Sequence, residues 1–125
     1  MRQVLAALYA DLQAPPFAAE NHFASQVQRY KNLTNTTPAA IHVYLQEGHF
    51  SERRDAVLQV EPGSLRVSEP VRDGSRHLQY VEVSRAYLVH GRRYQRTRTS
   101  IRATMDAQFH LILLKPEQLL EETLE

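Results

Sequence analysis

The chain has no cysteine and no tryptophan among its 125 residues. Without thiols there is no disulfide, no thiolate metal site and no cysteine nucleophile. Glycine is scarce. Its four copies, Gly48, Gly63, Gly74 and Gly91, are too dispersed for a phosphate-cradling GxGxxG or P-loop and read as turn punctuation. No serine sits in a GxSxG elbow, and there is no HExxH. Apolar runs stay short of the ~18 residues that a membrane-spanning helix needs, so no membrane partner is expected. The opening MRQVLAALYADLQAPPF is interrupted by Tyr9 and Asp11 and does not read as a secretion signal, which leaves a soluble, cytoplasmic chain as the expectation.

Lysine is nearly missing, with two copies against thirteen arginines. A GC-rich genome is the plain explanation. The functional one is selection for planar, bidentate contacts to carboxylate or phosphate. The net charge of +1 conceals a division. Residues 1–65 sum to −1, residues 66–102 to +6 and residues 103–125 to −4. A basic middle and an acidic tail are complementary, within one molecule or between copies, so a homo-oligomer is one expectation.

What is present fits one α+β domain over residues 1–125. Val4, Leu5, Leu8, Tyr9 and Leu12 recur at helical spacing, predicting a helix over 2–13 that Pro15 and Pro16 stop. Phe23, Val27 and Tyr30 predict a second helix over 17–31. NLTNTTP reads as a loop, and its two glycosylation sequons, at Asn32 and Asn35, read as chance. Ile41, Val43 and Leu45 then alternate with His42, Tyr44 and Gln46, the period of a half-buried strand. Glu61-Pro62-Gly63-Ser64 suits a type II turn, expected to reverse the chain between strands. Asp73-Gly74 marks another turn. Residues 77–90 alternate apolar residues on both faces, with a bulge expected near Ser84-Arg85. Gly91-Arg92 turns the chain back into a strand over 93–104, residues 107–114 form the last strand, and EQLLEETLE forms a short acidic helix behind Pro116. The expected fold is therefore two N-terminal helices, an antiparallel meander of about five to six strands and a short C-terminal helix. Helices followed by long antiparallel strands, at this length, resemble small cone-like folds such as the nuclear transport factor 2-like superfamily. The resemblance is one of element order, and no functional residue is carried over from it.

The chemistry-bearing stretch is RRYQRTRTSIR, residues 92–102. As a strand it places Tyr94, Arg96, Arg98, Ser100 and Arg102 on one face and Arg93, Gln95, Thr97, Thr99 and Ile101 on the other. Guanidiniums about 6.5–7 Å apart along a strand, ending at a tyrosine, match an anionic ligand or an acidic protein surface. The same row matches single-stranded nucleic acid, although the pI near 8.1 is low for a dedicated nucleic-acid domain. The plain alternative is a solvated strand whose arginines pair with internal carboxylates. The candidate ligand-binding residues are Arg93, Tyr94, Arg96, Arg98 and Arg102, in a non-enzymatic binding module. Six scattered histidines include no metal-ligand motif. His42, Glu47 and His49 converge only if the fold bends them together, so neither a metal nor another cofactor is expected. The remaining alternative is a small pocket enzyme, which requires a histidine and a carboxylate to converge in a cavity.

Overall fold

The computed structural model describes residues 1–13 and 17–125, apart from the side chain of His49. Pro15 and Pro16, expected to end the first helix, lie outside the described residues. The elements run α1 (Arg2–Asp11), a 3-10 turn (Ala19–Asn21), β1 (Val27–Tyr30), β2 (Leu33–Thr36), α2 (Pro38–Tyr44), a π-type turn (Leu45–Phe50), β3 (Arg53–Val60), β4 (Arg66–Val67), β5 (Arg76–Leu88), β6 (Arg93–Met105) and β7 (Leu111–Leu124). The sheet order is β2-β1-β7-β6-β5-β3, with β4 also on β5. The sheet is curled and mixed, because β1 runs parallel to β7 through Arg29↔Leu113 and Tyr30↔Leu114.

This corrects the expected two-helix antiparallel meander in three places. The segment predicted as a second helix, 17–31, is a 3-10 turn followed by β1. Phe23, Val27 and Tyr30 are buried as expected. They are buried against a sheet, because β1 finds partners on both sides, in β2 and β7, that its own sequence does not reveal. The strand predicted after Pro38 is a helix. Thr37 caps it, its hydroxyl accepting from the Ala40 amide at 3.3 Å, and Pro38 occupies the first turn, where a missing N–H costs nothing. Ile41 and Leu45 are buried one helical turn apart, while Val43 stays 49% exposed. The apparent period of two therefore ran across a helix. The predicted C-terminal helix is the distal half of β7. Glu117 and Glu121 lie in reach of Arg102 and Arg98 on β6, and the ladder tolerates Pro116 beside a register shift between Ser100 and Ile101.

The remaining expectations fare variously. α1 and the long β5–β6 hairpin match the sequence reading, and the hairpin turns through Arg92 at φ 50. Its register runs unbroken from Arg76↔Met105 to Leu88↔Arg93, so no bulge interrupts it at Ser84-Arg85. The Pro62-Gly63 turn is closed by the Ser64 amide on the Glu61 carbonyl, with Gly63 at φ 79. It does not reverse the chain. β3 and β4 both run antiparallel to β5, so the turn is an excursion along one edge.

The core lies between α1 and one face of the sheet. Leu5, Leu8, Tyr9 and Leu12 pack with Phe17, Phe23 and Tyr30 over Leu58, Leu78, Tyr80, Ile101, Ala103, Met105, Leu111 and Leu114. This inner face carries the even positions of β5 and the odd positions of β6. The opposite, outer face carries Arg85, Tyr87, Tyr94, Arg96, Arg98 and Arg102.

Candidate functional site

α1 is amphipathic because its apolar residues recur every three to four positions, and it lays that stripe across β3 and β5. Tyr9, at the middle of the stripe, is carried into the core with 2% of its surface exposed. Its hydroxyl donates to Glu82 Oε2 at 2.6 Å and lies 2.8 Å from the hydroxyl of Tyr80. A phenol has one proton, and a carboxylate only accepts. With the Tyr9 proton on Glu82, Tyr80 donates to Tyr9. The result is a directional chain, Tyr80 to Tyr9 to Glu82, on the inner face of the sheet. The two rings meet edge to face, with centroids 6.0 Å apart. Burial pushes the hydroxyls of Tyr9, Tyr30 and Tyr80 well above the usual tyrosine range, and the nearby Glu82 charge pushes each further up. Glu82 itself is half-buried, and Oε1 has no hydrogen-bond partner among the described residues.

A groove of about 490 Å³ runs beside this chain, between α1 and the β3–β4 excursion. Leu5, Tyr9, Leu58, Val60 and Leu65 form its apolar wall, and Arg2 and Arg66 also line it. Val60 stands directly opposite Glu82 in the sheet, which places the carboxylate one strand from the groove. Glu61 lines the groove too, but its carboxylate is held by Arg98 at 2.9 and 3.2 Å. A smaller recess of about 420 Å³ holds Lys31, Tyr44, Glu47, Glu52 and Arg53. Lys31 sits in the β1–β2 turn at φ 54. Desolvation lowers its ammonium below the usual range; the Glu82 charge opposes this and Arg53 adds to it.

β6 is extended, as read from the sequence. It places Tyr94, Arg96, Arg98 and Arg102 together on the outer face and Arg93 on the other. They are not a uniform row of free cations. Arg98 is bonded to Glu61 and lies 3.4 Å from Glu121, and the Glu61 bond holds its guanidinium above the usual value. Arg102 is 2.9 Å from Glu117. The acidic tail therefore meets the basic block inside one molecule at these two positions. The ring of Tyr94 lies 5.2 Å from that of Tyr87, with the Arg85 guanidinium 5.7 Å away on Tyr94.

None of the described histidine side chains lines one of the three recesses. His22 donates from Nε2 to Asp11 at 2.6 Å and stacks on Phe17. This pair, buried at His22 and half-exposed at Asp11, clips the end of α1 to the 3-10 turn and lines none of the three recesses. His42 Nδ1 is 2.9 Å from the Phe17 carbonyl. The side chain of His49 lies outside the described residues, and among those described no cluster of three metal-ligating residues exists. The Tyr9–Glu82 chain escaped the sequence reading because its members are 73 residues apart. The one available signal was Glu82, an acid at the inward parity of a strand with Leu78, Tyr80 and Ala86.

Among the described residues no helix is long and apolar enough to cross a membrane. No protein-family model matches the chain, and no curated protein matches it significantly. Among solved structures, the chain is similar to the crystal structure of Delta 5-3-ketosteroid isomerase from Mycobacterium sp.. The TM-score is 0.62 at 11% sequence identity, and the match covers 98% of each chain. The likeness is one of fold, a curled sheet wrapped over helices.

Proposed function

We propose that this chain is a ligand-binding protein whose α1–β3 groove takes a small, mainly apolar molecule bearing an acidic group. The observation that carries the reading is the lining of that groove: an apolar wall from Leu5, Tyr9, Leu58, Val60 and Leu65, with arginines Arg2 and Arg66 among its polar residues. Its volume, about 490 Å³, falls in the range of small-molecule sites, which combine an apolar wall with a few polar groups. The ligand's body would displace water from the wall, and its anionic head would meet the arginines. The solved structure of similar fold is an isomerase of ketosteroids, which is compatible with a pocket between helix and sheet.

The test uses anilinonaphthalene sulfonate, an aromatic body with one sulfonate, followed by fluorescence. Saturable binding is expected in the folded protein. Arg66→Gln should weaken it about tenfold, the loss of one charge-assisted contact. Ala6→Trp, which fills the groove from an exposed position of α1, should abolish it. Equal binding by both variants would remove the proposal.

A second reading, acid–base turnover of the bound molecule, is favoured by the Tyr80–Tyr9–Glu82 chain. A carboxylate with one oxygen fixed by a tyrosine and the other without a hydrogen-bond partner among the described residues has the arrangement of a positioned general base. It predicts exchange of an α-proton of a groove-bound aryl ketone in deuterated water, lost in Glu82→Gln. Exchange that persists in Glu82→Gln, or none in the parent chain, refutes it.

A further inference from the structure

The outer face of the sheet carries a different feature. Arg85 on β5 and Arg96 on β6 are direct cross-strand partners. Neighbouring strands lie about 4.8 Å apart. Like charges set directly opposite one another repel and destabilise a sheet. Elsewhere on this face the repulsion is relieved. Arg98 has Glu61 and Glu121, and Arg102 has Glu117. Arg85 and Arg96 have no carboxylate within salt-bridge distance among the described residues, and both are exposed.

The two arginines line one recess of about 530 Å³. The row through the pair runs Val57, Arg85, Arg96, Thr123 across four strands. On one side lies the row Gln59, Val83, Arg98, Glu121. On the other lie Tyr87 and Tyr94, and Arg85 rests against the Tyr94 ring. The ladder thus starts two planar forks from directly opposed positions of adjacent strands, with Thr123 and Gln59 lining the same recess. Glu121 and Glu125 line the same recess.

We propose that Arg85 and Arg96 form a binding site for a small multivalent oxyanion, a polyphosphate or polycarboxylate, bridging the two guanidiniums. A single charge would satisfy one fork and leave the other repelled. A multivalent anion satisfies both and converts a destabilising pair into the contact that holds it. Arg85 and Arg96 lie on the face of the sheet opposite the apolar wall of the α1–β3 groove, and the two recesses share only Gln59 among their lining residues.

Calorimetric titration of the intact chain with inorganic pyrophosphate, and separately with tricarballylate, tests it. Saturable one-to-one binding that weakens steeply with salt is expected from at least one. The stronger response assigns the ligand to phosphoryl or carboxyl chemistry. Arg85→Gln and Arg96→Gln should each lower the affinity about tenfold or more, while Arg66→Gln should not. Without ligand, Arg96→Gln should melt no lower than the parent, because repulsion is removed while the Arg85–Tyr94 contact is kept. Sulfonate binding in the α1–β3 groove should be unchanged in Arg96→Gln, so failure of either site is seen separately. Four results would overturn the proposal: no saturable binding by either anion at low salt, unchanged affinity in Arg96→Gln, lower melting of ligand-free Arg96→Gln, or self-association through this face that Arg96→Gln abolishes.

Discussion

Tyr9→Phe removes one oxygen atom and two hydrogen bonds, at 2.6 Å to Glu82 and 2.8 Å to Tyr80. The ring stays, so packing is conserved. The bond to the carboxylate is charge-assisted, and such bonds contribute about 1.5–3 kcal/mol. The change also leaves the Tyr80 hydroxyl, in a residue 3% exposed, without an acceptor. A buried orphan costs about 1–3 kcal/mol. Glu82 is half-buried and regains water, which returns part of the first loss. The expected destabilisation is about 2–4 kcal/mol. Tyr80→Phe should cost less, about 1 kcal/mol, because Tyr9 still donates to Glu82 and loses only a donor to its own oxygen. The double variant should then cost less than the sum, since the orphan created by the first change is deleted by the second. Urea unfolding of the four proteins, with unchanged denaturant slopes, measures the cycle. If Tyr80→Phe is as costly as Tyr9→Phe, or if the two add, the proton does not run from Tyr80 through Tyr9 to Glu82.

Further outcomes follow from the same geometry. Burial raises the three core tyrosines above their ordinary value of 10.0, so the folded state holds their protons where the unfolded chain releases them. Their contribution is intact below pH 10 and falls above it, by about 4 kcal/mol per pH unit for three groups. The part of the tyrosinate absorbance that belongs to Tyr9, Tyr30 and Tyr80, three of the six tyrosines, should therefore appear only with alkaline unfolding; complete tyrosine ionisation while the circular dichroism stays native would refute it. Lys31 has the opposite sign. Its folded pKa is lowered, so stability should rise with pH between that lowered value and 10.5, and Lys31→Met should be more stable than the parent at neutral pH by denaturant titration. Gly74 has φ +85, and a Cβ there would stand 2.9 Å from the Ala107 Cβ. Gly74→Ala should cost about 1–3 kcal/mol in thermal unfolding. A cost near zero would show that the turn relaxes freely.

Local signals identified the elements whose partners lie close along the chain. The apolar stripe of α1 and the alternation of β5 and β6 around Gly91-Arg92 needed no distant information, and the turns at Gly63 and Gly74 announced their own positive φ. Where an expectation failed, the deciding partner was remote. Val27 and Tyr30 became a strand because Leu113 and Leu114 offered an edge. EQLLEETLE extended because the exposed ladder and arginines of β6 were waiting. α2 is the exception: Thr37 and Pro38 were legible as a cap and first turn, and a spurious alternation obscured them.

The candidate sites divide in the same way. Composition and spacing determined that a strand would present arginines with a tyrosine, and excluded thiol, P-loop and serine-elbow chemistry. Only the tertiary structure decided which arginines are already neutralised, by bringing Glu61, Glu117 and Glu121 alongside, and which oppose one another unpaired. It also joined Tyr9 to Tyr80 and Glu82. Periodicity records which way each side chain faces, but charge and hydrogen-bond energies depend on separations of a few ångströms that strand order and curl set.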